Sequence, residues 1–134
     1  MADERQLISP FMVHLGIDIV SMQGGKAEVA VTLLPELLNS GGMAHGGLIA
    51  TLADGAAGAA VFSVMARDKM AVTTDFNLTC LKSTAAGLLT AKGEVIHQGR
   101  RLIRADVEVF SDSDLVAKAG VSFMVIERPV PSES

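Results

Sequence analysis

The sequence predicts an α+β domain in which an antiparallel sheet curls around one long central helix. A nearly charge-free run from Gly46 to Ala66 has the length of a long helix. Strand-like alternation of apolar residues surrounds that run, and the later strands are joined by short links, which favour antiparallel neighbours. With 134 residues, 49% of them hydrophobic, the chain is long enough for one domain with its own core. We expect that domain to span 1–134, with a core over about 10–127 and a loose C-terminal tail.

The segment before the long helix predicts a short helix or arm followed by two strands. Residues 1–14 form the arm, whose apolar side carries Leu7, Phe11 and Met12. Ile17 to Val20 is the first strand candidate, and apolar side chains recur at every second position from Lys26 to Leu33. Pro35 ends the second strand, and a polar, glycine-rich loop over 37–44 leads to the helix.

The long helix and the strands after it form the rest of the sheet. Ala and Gly recur throughout Gly46–Ala66, so another backbone can approach the helix closely. Four strands follow at 71–80, 88–97, 101–110 and 115–126. Their clearest one-sided patterns are Val72, Thr74, Phe76 and Leu78 in the first; Ile103, Ala105, Val107 and Val109 in the third; and Leu115, Ala117, Ala119, Val121, Phe123 and Val125 in the last.

Composition and charge exclude several classes of function. The formal net charge of −4 argues against general nucleic-acid binding, which needs a basic face. Cys80 is the single cysteine, so we expect no disulfide framework and no metal site built on cysteine and histidine. The chain shows no apolar signal segment, and its charge-free run is rich in Ala and Gly rather than Leu and Ile. We therefore expect a cytoplasmic protein that does not enter a membrane.

One carboxylate and two glycines mark the candidate site. Asp54 is the only charged residue between Gly46 and Ala66, and an unpaired buried charge is costly. Gly46 and Gly47 open the helix, where free N–H groups favour developing negative charge on a ligand. The alternatives are that the glycines only permit a tight turn, and that polar neighbours satisfy Asp54.

The spacing of these residues predicts a site shared between two chains. Asp54 follows Gly46 by eight residues, or about 12 Å along a helix. One ester group cannot contact both residues, because a reacting group must lie roughly 3 Å from the carbon that it attacks. A second copy of the helix, packed antiparallel across a two-fold axis, would place its Asp54 beside Gly46.

Other polar residues near loops and strand ends allow two interpretations each. Asn39 could bind a substrate carbonyl or cap its own turn, and His45 could be a ligand, a base or a structural residue. Basic and hydroxyl side chains at turns could hold phosphate groups or simply be solvated. These are Lys82, Ser83 and Thr84 at one turn and Arg100 and Arg101, after Gly99, at another.

The chain resembles the hotdog-fold thioesterases, in the subgroup of the phenylacetate-degradation and 4-hydroxybenzoyl-CoA types with a helix-borne acid. The pattern of that subgroup is an Asn, an HGG six residues later and an Asp nine residues after the His. Here it reads Asn39, His45-Gly46-Gly47 and Asp54. VTTDFNLTCLKS is similar to the strand after the family's helix, and GRRLIRADVEVF with LVAKAGVSFMVI is similar to its last hairpin. The resemblance covers roughly 10–126.

The resemblance implies a hotdog fold and a role for each matching residue. Gly46 N–H would polarise the thioester carbonyl, and Asn39 and His45 would position it. Asp54 of the partner subunit would be general base or nucleophile, with Thr73 holding the water. The matching CoA-binding positions are Gly47, Lys82, Ser83, Thr84, Gly99, Arg100 and Arg101.

The resemblance also implies the function, hydrolysis of an aryl- or medium- to long-chain acyl-CoA to free acid and CoA. CoA is then part of the substrate, and no cofactor is needed. By the same resemblance, a homodimer would form the site, and two dimers would pair into a homotetramer. Some relatives carry a hydroxyl one helical turn after the acid, where this chain has Gly58. The alternatives are a non-catalytic acyl-CoA-binding or regulatory module and an enoyl-CoA hydratase on the same fold.

Overall fold

A six-stranded antiparallel sheet surrounds a long helix in the computed structural model, which describes residues 9–129. In chain order the elements are α1 (Pro10–Leu15), β1 (Asp18–Gln23), β2 (Lys26–Thr32), a 3-10 turn (Pro35–Leu37), α2 (Gly46–Phe62), β3 (Lys69–Cys80), β4 (Leu88–Gln98), β5 (Leu102–Ser111) and β6 (Asp114–Glu127). The strand order is β1-β2-β4-β5-β6-β3, and α2 contacts all six strands. The predicted α+β architecture is therefore confirmed.

The strand after the helix lies at an edge of the sheet. Short links predict that β3 and β4 are neighbours, but β3 pairs with β6. The link from Cys80 to Leu88 starts against β6, where Leu81 N–H donates to the carbonyl of Val116, and it ends beside β2, where Gly87 accepts from Leu33. It crosses the end of the sheet, so one long edge of β3 has no partner strand within residues 9–129.

A bulge in β3 corrects the predicted inward face of that strand. The pairing with β6 shifts between Thr73 and Asp75, which leaves Thr74 as an extra residue. The alternation of faces therefore changes along the strand. Val72 and Thr74, predicted to share one face with Phe76 and Leu78, are exposed, whereas Phe76 and Leu78 pack against the core. The bulge leaves Thr73 directed at the helix, where it contacts Asp54.

The helix touches the sheet closely, as its small residues predict. A Cβ built on Gly93 of β4 would lie 2.7 Å from the carbonyl oxygen of Ala56, so only glycine fits there. The helix ends at Phe62 rather than at Ala66. Ser63 follows it, and its hydroxyl accepts a hydrogen bond from Gly25 N–H and donates one to a carbonyl of the last turn. This fixes the end of α2 against the β1–β2 turn.

The N-terminal arm is a short helix whose two described apolar residues point differently. Ser9 caps α1 by accepting a hydrogen bond from Met12 N–H. Met12 is buried against α2, but Phe11 is 58% exposed, because adjacent helical residues lie on different faces. Leu7 and the tail beyond Pro129 lie outside the described residues.

Candidate active site

The start of α2 presents one capped and one open N–H group. His45 is the N-cap residue, and its Nδ1 accepts a hydrogen bond of 2.9 Å from Gly47 N–H. Its own N–H donates to the carbonyl of Leu37. Gly46 N–H has no acceptor among residues 9–129, and a Cβ built at Gly46 would meet nothing within 4 Å. An oxygen atom of a ligand can therefore approach this donor at the helix start.

Asn39 shapes the loop that leads to the helix. Its Oδ1 accepts hydrogen bonds from Gly41 N–H at 2.8 Å and Met43 N–H at 3.1 Å. Its backbone N–H donates to the carbonyl of Met43, so both the side chain and the backbone of Asn39 stabilise the loop. The structure thus shows the turn-capping contact, and it leaves the side-chain amide N–H groups as donors for a ligand.

Asp54 pairs with a hydroxyl instead of a cation. Thr73 Oγ1 donates a hydrogen bond of 2.9 Å to Asp54 Oδ1. Within the described part of the chain, no Lys, Arg or His nitrogen lies within salt-bridge distance of this carboxylate. Partial burial raises the pKa of the Asp54 carboxyl above its ordinary value, and the Thr73 hydrogen bond lowers it in part. The result is a carboxylate that is more basic than an exposed aspartate.

Asp54 borders two cavities, one on each side of it. The edge cavity, of about 310 Å³, lies between α2 and β3 and is formed by Ala50, Thr51, Asp54, Thr73 and Phe76. The inner chamber, of about 410 Å³, extends along α2 in the other direction, and its wall includes Asp54, Gly58, Phe62, Met12, Met65 and Met70.

The residues at the helix start line a third space. This cap cavity, of about 440 Å³, is bordered by Phe11, Leu15, Leu38, His45, Gly47 and Thr51. Asp54 does not line it, so the capped helix start and the acid do not share a cavity within one chain. This agrees with the separation along the helix that the sequence predicts.

Apart from Gly47 at the start of α2, the predicted CoA-binding residues form two separate groups. The group at 82–84 lies at one end of β5, where Thr84 Oγ1 is 3.0 Å from Ser111 Oγ. The group at 99–101 lies at the other end, where Gly99 N–H donates to the carbonyl of Leu102. β5 has ten residues, or roughly 30 Å at the rise of a strand. One chain therefore does not bring the two groups to the same phosphate.

Most of the wall of the inner chamber could not be predicted from the sequence. Met65 follows the end of α2, Met70 lies within β3, and Arg128 follows the last strand. Met12 was expected on the apolar side of the arm, but nothing in the sequence places it beside Asp54. Met residues in unrelated segments carry no periodic signal, and only tertiary contacts collect them at one cavity.

Two general features of the described residues bear on the kind of site. None of the helices within 9–129 is both long and apolar enough to span a bilayer. Over the same range, no three His, Cys, Asp or Glu side chains group together as a candidate metal site.

Comparisons with known proteins found related sequences and a similar solved structure. The family model described as "Thioesterase superfamily" matches residues 41–118. An acyl-coenzyme A thioesterase, PaaI of Escherichia coli, is 40% identical over 97 residues, which are 71% of this chain and 66% of that protein. A 1,4-dihydroxy-2-naphthoyl-CoA hydrolase of Listeria monocytogenes is 30% identical over 100 residues, 75% of this chain and 81% of that one. The structure of a conserved Pseudomonas aeruginosa protein superposes with a TM-score of 0.90 at 32% identity, covering 93% of this chain and 100% of that chain.

Proposed function

The chain is a member of the thioesterase superfamily, and from that premise we propose that it hydrolyses acyl-CoA thioesters to free acid and CoA. Two relatives bear names that specify CoA thioester hydrolysis. The observation that carries the proposal is the contact between Asp54 and Thr73 beside two cavities. A half-buried carboxylate with a raised pKa and no cationic neighbour among the described residues is suited to activate water or attack a carbonyl.

We propose that each active site is formed by two chains. β3 offers an unpaired edge within the described sheet, and a second β3 can pair with it antiparallel across a two-fold axis. The edge cavity lies between that strand and α2. Such pairing would set the two α2 helices side by side and antiparallel, with Gly46 of the partner subunit over the edge cavity. Pairing of two such dimers, like the cytoplasmic location, stays a prediction.

The proposed reaction uses water and the two chains' groups. Asp54 removes a proton from water as the water oxygen bonds to the thioester carbon. The resulting oxyanion accepts a hydrogen bond from Gly46 N–H of the partner subunit, which the positive end of that helix strengthens. The C–S bond then breaks, and the proton held by Asp54 passes to the leaving CoA sulfur. Thr73 holds the carboxylate through Oδ1 and leaves Oδ2 for the water.

Asp54 could instead attack the carbon itself, which expels the CoA thiolate and forms a mixed anhydride that water then cleaves at the aspartyl carbonyl carbon. Single-turnover hydrolysis in oxygen-18 water distinguishes the two routes. A general base puts the label into the released acid in the first turnover, whereas a nucleophile first transfers one of its own unlabelled oxygens.

We propose that the nucleotide part of CoA lies between groups from opposite subunits. Arg100 and Arg101 are exposed at the β4–β5 turn, and guanidinium groups bind phosphate through paired hydrogen bonds. Converting both to Met should raise KM for acyl-CoA and leave KM for the matching acyl-pantetheine unchanged. An equal rise for both substrates would place the nucleotide elsewhere.

Subunit complementation tests the shared site. Asp54→Asn removes the acid, and Gly46→Pro removes the N–H donor at a helix position that tolerates proline. Each homodimer should be inactive. Randomly mixed subunits should regain about a quarter of wild-type activity, because half the dimers contain one site with both groups intact. No recovery in confirmed heterodimers would place both groups in one chain.

Release of CoA thiol from a panel of aryl- and fatty-acyl-CoA esters tests the reaction itself. We expect turnover by the wild type, and loss of turnover with retained affinity in Asp54→Asn. Tight binding of these esters by both proteins without thiol release would replace the proposal with a binding or regulatory role.

A further inference from the structure

The inner chamber is a half-open, mostly apolar space with the acid in its wall. Its α2 wall includes Asp54, Gly58 and Phe62, which lie on one face of the helix and span about 12 Å of its axis. Met12 and Met70 contribute to the walls from α1 and β3. Thioether side chains are apolar and adapt their shape to a flexible ligand. A linear hydrocarbon chain matches this lining better than a polar group does.

We infer that this chamber holds the acyl chain of the substrate, that it suits an unbranched chain of about eight to ten carbons, and that Gly58 sets its capacity. The inference rests on the proposed thioester hydrolysis. A thioester carbon attacked at Asp54 has its acyl group beginning at the chamber's entrance. The edge cavity on the other side of Asp54 is then left for Gly46 of the partner subunit and the CoA sulfur.

The two glycines of α2 near the acid have different surroundings. A Cβ on Gly55 would lie 2.9 Å from Met12 Cε, so Gly55 makes room for α1. A Cβ on Gly58 would meet nothing within 4 Å, although Gly58 lies one turn after Asp54 in the chamber wall. Glycine inside a helix lowers its stability. No described neighbour requires that glycine, so its effect is to leave space in the chamber.

The length of the chamber sets the length of the chain. Carbon–carbon bonds are about 1.5 Å long, and a staggered chain advances most of that per bond, so about 12 Å holds roughly eight to ten carbons. At the Phe62 end of the chamber the surroundings become charged, and Arg128 is part of the wall there. Arg67 stacks on the Phe62 ring at 4.6 Å, and Arg128 Nε donates to the carbonyl of Arg67. Further methylenes would reach guanidinium groups and water, where they gain little.

Hydrolysis of straight-chain acyl-CoA esters from four to sixteen carbons tests the inference. In the wild type, kcat/KM should rise by about fourfold per methylene and level off at about eight to ten carbons. Gly58→Leu should lower kcat/KM for the ten-carbon ester by at least about tenfold and that for the four-carbon ester by less than about twofold. Gly58→Ala should lie between them. Both replacements favour the helix, so thermal melting should show an intact fold.

Leu38→Phe is the matched control, because it enlarges a side chain in the cap cavity instead. It should leave the ratio of ten-carbon to four-carbon activity unchanged. If the optimal acyl-chain length becomes shorter in Leu38→Phe but not in Gly58→Leu, the acyl chain lies in the cap cavity instead. Benzoyl-CoA turnover above that of octanoyl-CoA in the wild type would overturn the preference for a linear chain.

The failure of this inference differs from the failure of the proposed function. If the wild type hydrolyses the esters and Gly58→Leu keeps the wild-type dependence of kcat/KM on acyl-chain length, the inference is overturned and the proposed function stands. If no ester is cleaved, calorimetric titration with decanoyl-CoA and butyryl-CoA makes the same comparison on affinity. Selective loss of decanoyl-CoA affinity in Gly58→Leu would then support the chamber assignment, and equal affinities would overturn it.

Discussion

Two aspartates near the same edge of the sheet have opposite surroundings. Asp75, on the outer side of β3, accepts a hydrogen bond of 3.3 Å from the guanidinium of Arg104, which also donates to Ser122 Oγ. Asp54, on the inner side, accepts from the Thr73 hydroxyl and has no salt bridge among residues 9–129. The first carboxylate is paired with a cation, and the second accepts a hydrogen bond from an uncharged hydroxyl instead.

This difference extends across the two faces of the sheet. On the outer face, charged residues face one another across strands, as Glu28 and Lys92 do at 3.8 Å. The inner face packs aliphatic side chains against α2, and it leaves one half-buried acid at its open edge. Charge on the outer face is solvated at little cost, whereas charge on the inner face has an energetic cost that the proposed reaction would explain.

The largest expected effect comes from replacing the inner acid. Asp54→Asn should lower kcat by about 10²- to 10⁴-fold, the range for loss of a general base. Asp75→Asn is the control and should keep most of the activity. Steady-state thiol release measures both rates. Similar losses of kcat in the two variants would show that the inner acid matters no more for the reaction than the outer one.

The same Asp54→Asn variant should be at least as stable as the wild type. Because folding raises the pKa of Asp54, the stability from its protonated form is present below its ordinary pKa of 3.8 and is lost as pH rises through the raised value. The gain of Asp54→Asn over the wild type should therefore appear only above that pKa. Urea unfolding as a function of pH measures it, and a variant that is less stable at neutral pH would mean a structural role for the acid.

Packing provides the next largest contrast. Gly93→Ala on the inner face should destabilise the protein by about 1–3 kcal/mol, because the new Cβ meets the backbone of Ala56. On the outer face, Gly120→Ala meets the end of the flexible Arg104 side chain, which can move aside. Its cost should stay below about 1 kcal/mol. Equal costs in urea titrations would mean that the inner face is no more tightly packed than the outer one.

The hydroxyl beside the acid should have a smaller effect on activity and a directional effect on pH. Thr73→Val should lower kcat/KM by about tenfold, the value of one hydrogen bond to a charged group. It also removes the contact that lowers the pKa of Asp54. The acidic limb of the pH–rate profile, where activity is lost as Asp54 gains a proton, should therefore move to higher pH.

Thr74→Val makes the same change one residue away, at an exposed position of the bulge. It should leave both the rate and the acidic limb in place. A shift of the limb in Thr74→Val, or none in Thr73→Val, would contradict the assigned contact.

The outer charge pairs should have the smallest effects. A double-mutant cycle with Glu28→Gln and Lys92→Met should give a coupling energy of no more than about 1 kcal/mol, as exposed ion pairs do. The coupling should fall further in 0.5–1 M salt, roughly the range in which screening is strong. Activity should not change. A coupling energy as large as the loss of transition-state stabilisation in Asp54→Asn would show that the outer charge pairs do more than keep the surface solvated.

Features that depend on neighbouring residues could be predicted from the sequence. Period-two alternation predicted that Ile103, Ala105, Val107 and Val109 are inward, and all four are buried. The glycine pair predicted the first residue of α2, and the eight-residue spacing to Asp54 predicted that the acid is remote from the helix start. These signals are local, because a side chain's direction follows from the backbone period.

Features that depend on contacts between residues far apart in the sequence follow only from the tertiary structure. The register with β6 placed the bulge at Thr74 and thereby aimed Thr73 at Asp54, although simple alternation predicts the opposite face. The crossing link made β3 an edge strand, and packing of α1 against α2 brought Met12 beside the acid. Hydrogen-bond register and close packing are long-range properties, so no local period in the sequence records them.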